Sequence, residues 1–139
     1  MTIARPVDDV FSVLSNVENT AAWYPAEVTE YWTSEGPVGV GSTRRAEGKA
    51  YGAKTVNDAE VTVYQPYEAL GLRSISAPVP FEMSFRFTPV TEGTEVTWVT
   101  ELRPAGIYRL IVPLTFGLHH RLGRRGLENL KRLMEAGEL

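Results

Sequence analysis

Apolar residues change period twice along this chain. Val7, Val10, Phe11 and Leu14 fall at i, i+3, i+4 and i+7, one stripe of an α-helix. Pro6 precedes them, suited to a first helical turn. Ser15 or Asn16 can cap a second short helix running toward Trp23. Pro25 ends it, because the residue before a proline is pushed out of the helical region.

From residue 27 the period is two. Strands are predicted over 27–33 and, past a turn punctuated by Gly36, Pro37, Gly39 and Gly41, over 42–47. The polar stretch 48–57 carries no clear pattern. Ala59, Val61 and Val63 then alternate with Glu60, Thr62 and Tyr64 until Pro66. Leu70, Leu72 and Ser74 share a face opposite Arg73 and Ile75. In 81–87, Phe81, Met83, Phe85 and Phe87 oppose Glu82, Ser84 and Arg86, which read as the solvent side. Pro89 and Glu92-Gly93 suggest a turn before Val96, Trp98, Thr100 and Leu102, which alternate with Glu95, Thr97, Val99 and Glu101.

The last element is a helix over 105–136. Ile107, Leu110, Ile111, Leu114, Leu118, Leu122, Leu130, Leu133 and Met134 track one side of it, which lays it across the sheet. Pro113 should kink or break it. Two short helices, a strand meander and one long helix specify an α+β fold with helices on one face of an antiparallel sheet. The space between a long helix and a curved sheet is the natural ligand site.

Composition narrows the function. The 139 residues suit a single domain over 1–139. Seventeen acidic and 14 basic residues give a net charge of −3, against a nucleic-acid partner. With no cysteine there is no disulfide, thiolate metal site or thiol nucleophile, which fits a cytoplasmic location. No apolar run reaches the roughly 20 residues of a membrane span, and no secretory signal is visible.

His119 and His120, the only histidines, project about 100° apart on a helix, the wrong spacing for one metal ion, so no metal is expected. Arg121, Arg124, Arg125, Lys131 and Arg132 interleave with Glu128 and read as a solvated face. No nucleophile elbow, phosphate loop or dinucleotide fingerprint occurs, so no cofactor is implied.

A carboxylate inside a pocket would have a raised pKa and could serve as an acid or base. Glu101 and Arg103 end the last strand near the expected mouth, and Arg45 and Glu47 lie on or near a middle strand. Phe11, Phe85 and Phe87 read first as core, whereas Tyr24, Tyr51, Trp98 and Tyr108 stand near element ends, where rings with a polar handle suit pocket lining. The ligand-binding set is Trp23, Tyr24, Tyr51, Phe81, Phe85, Trp98, Tyr108 and Phe116. Tyr24, Tyr51, Glu101 and His120 are the candidate catalytic groups.

The chain resembles the START-like (SRPBCC, Bet v 1-like) helix-grip superfamily, and within it the polyketide cyclase/dehydrase group of small bacterial proteins. The resemblance rests on Ile3-Ala4-Arg5-Pro6-Val7-Asp8-Asp9-Val10-Phe11, Asn16 to Asn19 with Trp23, Gly36-Pro37-Val38-Gly39-Val40-Gly41-Ser42, Glu60 to Pro66, Phe85 to Pro89, Gly93 to Thr97 and Leu127 to Lys131. It implies a curved antiparallel sheet wrapped around the C-terminal helix, with a pocket rather than a particular reaction. One departure is visible: only Met1 to Ala4 precede Arg5, where relatives carry a full edge strand. A short first strand opens the sheet edge to another chain, so a homodimer is one consequence.

Three readings follow. The first is binding of a hydrophobic or aromatic small molecule between sheet and C-terminal helix. The second is a cofactor-independent cyclase or dehydratase using the same cavity. The third is an interaction module with a collapsed pocket, offering its edge strand or basic helix face to a protein.

Overall fold

The computed structural model describes residues 1–50 and 53–139. Strand β1 (Thr2–Ile3) leads into helix α1 (Val7–Ser15), a 3-10 turn (Val17–Asn19) and helix α2 (Thr20–Trp23). Strands β2 (Val28–Trp32), β3 (Thr43–Ala50), β4 (Ala53–Gln65), β5 (Ala69–Ser76), β6 (Phe81–Val90) and β7 (Gly93–Leu102) follow, then helix α3 (Tyr108–Glu135). The strands form one antiparallel sheet in the order β1-β7-β6-β5-β4-β3-β2. The result is the expected α+β helix-grip fold, a curved meander with two short N-terminal helices and a long C-terminal one.

Alternation decides which side chains face inward. Leu70 pairs with Phe85, and Phe85 with Trp98, so one row of large apolar groups crosses three strands. Register shifts in β4 at Asp58/Ala59 and Val61/Val63 break the ladder, and such bulges bend and twist a sheet. Val10, Phe11 and Leu14 of α1 are buried against that face. The Phe11 ring meets Phe87, Tyr64 and Tyr67 edge-on at centroid distances of 5.2, 5.5 and 5.7 Å.

The C-terminal half of α3 is tied to the chain's beginning. Lys131 Nζ donates to the Thr2 carbonyl at 2.6 Å, and Arg5 to the Met134 carbonyl at 2.6 Å. Glu135 accepts the Ala4 N–H at 2.9 Å. Leu130 and Met134 beneath these bonds are fully buried. Gly93 makes this closure feasible: it has φ +142°, and a Cβ there would stand 2.1 Å from the Ile3 carbonyl oxygen.

Four local expectations change. In the polar stretch 48–57, residues 48–50 and 53–57 are strand, with Gly48 opposite Thr55 and Lys49 opposite Lys54; no large apolar side chain among them is buried, so they carry no apolar alternation. Pro89 belongs to β6 rather than to the turn, paired with Thr94 near the strand end. Asn16 caps the 3-10 turn, its Oδ1 accepting the Glu18 N–H at 3.2 Å, instead of capping α2 directly. Helix α3 continues through Pro113, which costs it the backbone bond from position 113 to the Arg109 carbonyl without ending it.

The apolar stripe of α3 is also divided. Leu130 and Met134 face the core, but Ile107, Leu110, Leu114 and Leu118 are exposed. The bonds from Lys131, Glu135 and the Met134 carbonyl lie in the C-terminal half, whereas these four exposed residues lie at the N-terminal end.

A candidate ligand cavity with a buried ion pair

Between the inner face of the sheet and the N-terminal helices lies a cavity of about 190 Å³. Leu70, Leu72, Met83 and Phe85 form its floor, Trp98 one wall, and Leu14, Val17 and Trp23 its roof. No residue of α3 lines it, which corrects the expectation of a space directly beneath that helix. The reason is steric. Gly126 brings α3 so close that a Cβ there would be 3.1 Å from Trp23 Cζ3, and Gly123 would place one 3.6 Å from Trp98 Cζ3. The two indoles fill the space under the helix, and the cavity opens on their other side.

These rings support one another. Phe85 and Trp98 stack at 5.1 Å with 21° between planes. Trp23 meets Trp98 edge-on at 5.9 Å, and Tyr24 meets Trp98 at 6.3 Å. Offset-stacked and edge-on geometries are the favoured ones for aromatic quadrupoles.

One end of the cavity is polar. Glu30 of β2, Arg44 of β3 and Asn57 of β4 project inward there, with Thr20 and Tyr24 above. Sheet register brings the three strands' groups together: Trp32 pairs with Arg44, and Ala46 with both Glu30 and Asn57. Arg44 Nε lies 3.4 Å from Glu30 Oε2, with 4% of the Arg44 side chain exposed. Arg44 Nη1 donates to the Asn57 side-chain oxygen and, at 3.3 Å, to its backbone carbonyl. The guanidinium also sits 5.5 Å from the centre of the Phe81 ring.

Burial governs the electrostatics. It pushes the Glu30 carboxyl above its ordinary 4.5, although Arg44 and a hydrogen bond from Thr20 pull the other way. It lowers the Arg44 pKa, opposed by Glu30 and Asp58, but guanidinium is so basic that Arg44 stays charged. The Tyr24 hydroxyl is pushed up by burial and then by the charge of Glu30.

Trp98 Nε1 is a buried donor with no hydrogen-bond acceptor among the described residues, and Arg44 Nε, ion-paired with Glu30 at 3.4 Å, makes no hydrogen bond either. Leaving such a group unpaired costs about 1–3 kcal/mol. Both residues line the cavity, so an oxygen brought in by a ligand is the natural acceptor.

Of the candidates read from sequence, Trp23, Tyr24, Phe81, Phe85 and Trp98 stand together on the cavity wall. Tyr51 lies outside the described residues. Tyr108, half-buried in the first turn of α3, does not line the cavity, and Phe116 is 63% exposed in the N-terminal half of the helix. Glu101 is exposed, opposite Glu82, because its parity along β7 is the reverse of Trp98's. His120 is exposed beside Arg121 and Arg124. Arg45 and Glu47 point outward, Arg45 pairing with Asp58 at 2.9 Å. Sequence reading missed Glu30, Arg44 and Asn57. Two successive arginines, 44 and 45, must point to opposite faces of a strand, and that was the available signal.

The chain belongs to the family described as polyketide cyclase / dehydrase and lipid transport, whose model matches residues 1–135. An uncharacterized protein of Mycobacterium tuberculosis is 27% identical over 138 residues, covering 96% of this chain and 81% of that protein. A protein of Thermus thermophilus shares the fold with a TM-score of 0.82 and 18% identity, covering 100% of this chain and 96% of the other. The Zhui aromatase/cyclase of a Streptomyces species superposes with a TM-score of 0.71 at 18% identity, over 100% and 95% of the two chains.

Proposed function

We propose that this protein binds a small, largely apolar aromatic molecule bearing an acceptor oxygen, a ketone, phenolate or carboxylate, in the cavity. The observation that carries this reading is the buried Trp98 Nε1 donor without an acceptor among the described residues, set in an aromatic-walled space beside Arg44, whose Nε makes no hydrogen bond and meets only the Glu30 carboxylate at 3.4 Å. Size supports it as well. A dry cavity of about 150 Å³ holds benzene, so 190 Å³ suits one ring with a short substituent. Arg44 is charged and buried, which favours an oxygen with negative character.

Tryptophan fluorescence titration with acetophenone, benzoate and toluene tests the proposal. The two oxygen-bearing probes should bind more tightly than toluene. Trp98→Phe keeps the ring stacking and removes the donor, so it should cost acetophenone roughly fivefold in affinity, the worth of one neutral hydrogen bond, and leave toluene unchanged. Toluene binding as well as acetophenone would overturn the reading.

A second reading, turnover of such a molecule, is favoured by Glu30. A carboxyl with a raised pKa beside Tyr24 at the edge of an apolar cavity is a fitting general acid or base. The Streptomyces neighbour is an aromatase/cyclase. A cyclase-type reaction here would hold the substrate between the rings and exchange a proton at Glu30. Glu30→Gln would then abolish turnover while ligand affinity changes little.

A further inference from the structure

Helix α3 leaves a stripe uncovered. Ile107, Leu110, Leu114 and Leu118 stand at i, i+3, i+7 and i+11, hence on one face, and are 68, 72, 86 and 51% exposed. The same line continues three and seven residues past Leu118 into Arg121 and Arg125. Between Arg103 and Leu127 the chain has five arginines and no aspartate or glutamate. The remainder holds all 17 acidic residues against nine basic ones, so positive charge is concentrated where the apolar stripe lies. Among the described residues, Arg109, Arg121 and Arg125 have no carboxylate partner, whereas Arg124 pairs with Glu128.

A contiguous row of exposed leucines calls for an apolar partner, and unneutralised arginines beside it call for an anionic one. A nucleic acid would satisfy the arginines and leave the leucines in water. A second copy packed two-fold along the stripe would gather both arginine clusters on one interface with no carboxylate to offset them. A bilayer surface rich in anionic phospholipid answers both needs, with leucines at the headgroup–acyl boundary and arginines on the phosphates.

We propose that α3 docks this protein on anionic membrane surfaces through Ile107, Leu110, Leu114 and Leu118, with Arg121 and Arg125 on the phosphate groups. The helix lies in the surface rather than crossing it, since its other face, through Leu130 and Met134, is packed in the core.

Vesicle co-sedimentation of the full chain tests this, with phosphatidylglycerol/phosphatidylcholine vesicles compared with phosphatidylcholine alone. Binding should require phosphatidylglycerol and weaken with salt. Arg121→Ala with Arg125→Ala should weaken it roughly twenty-fivefold, at about fivefold per arginine. Leu114→Ala with Leu118→Ala should weaken it at least tenfold or so, by loss of buried methylenes. All four positions are exposed or nearly so, and circular dichroism with a thermal melt shows that each variant is folded. Absence of binding, or equal binding to phosphatidylcholine alone, would overturn the proposal. A wild-type dimer that Leu114→Asp converts to monomer would assign the stripe to a second copy and equally overturn it.

Discussion

Glu30 stands 3.4 Å from Arg44 Nε, yet burial outweighs that attraction and its pKa rises above 4.5. The sign of the stability effect follows. The fold binds this proton more tightly than the unfolded chain does, so protonation contributes stability at low pH. That contribution is lost as pH climbs from 4.5 through the raised folded value. Glu30→Gln has no such titration. Thermal melts across this window should therefore show wild type losing stability relative to Glu30→Gln as pH rises, and parallel curves would mean Glu30 titrates normally. Arg44 stays charged throughout and does not distort the comparison. This cluster was illegible in the sequence because a glutamate on a strand ordinarily faces water. Only its parity with Val28 and Trp32, and the neighbouring strands' register, turn it inward.

Two of the three glycines in helix α3 differ in purpose. Gly126 is buried, with Trp23 where its Cβ would go, and Gly117 has nothing within 4 Å of that position. Adding bulk at the first overpacks the helix against the indole, and adding a methyl at the second only removes backbone freedom. Gly126→Val should cost about 1–3 kcal/mol in chemical denaturation. Gly117→Ala should add up to about 1 kcal/mol, the helix propensity difference. Equal effects of the two would show that α3 is not seated on Trp23. The strands of this meander were legible from alternation, most plainly 81–87 of β6, which runs on to Val90. The exposure of Leu110 and Leu114 was not, because a helical stripe reports that one face is apolar without naming what lies opposite.

Across the whole molecule, the first strand and the last helix close on each other. Thr2 and Ile3 pair with Glu95 and Thr94, Lys131 reaches the Thr2 carbonyl, and Arg5 joins the Met134 carbonyl while pairing with Asp9 at 2.9 Å. Gly93 is the hinge of this closure, both for its φ of +142° and for the contact its Cβ would make with Ile3. Gly93→Ala should cost roughly 3 kcal/mol or more, combining backbone strain with displacement of β1. Hydrogen exchange should show the loss first in β1 and the C-terminal half of α3. Protection unchanged there would mean β1 contributes little to holding the helix.

What the sequence determined by itself was the class of fold. Alternation, helical spacing, proline and glycine punctuation and the Arg5-Pro6 start are local signals, and local signals specify elements and their order. It also supplied the rings that meet at the cavity, because Trp23, Tyr24, Phe85 and Trp98 are large and sit at inward-facing or element-end positions. The tertiary structure decided everything that depends on distance across the chain. It placed the cavity under the N-terminal helices, joined Glu30, Arg44 and Asn57 from three strands, and left Leu110, Leu114 and Leu118 of α3 facing out. Those outcomes follow from sheet register and from how closely glycine lets a helix approach an indole, quantities set by pairs of residues far apart in sequence.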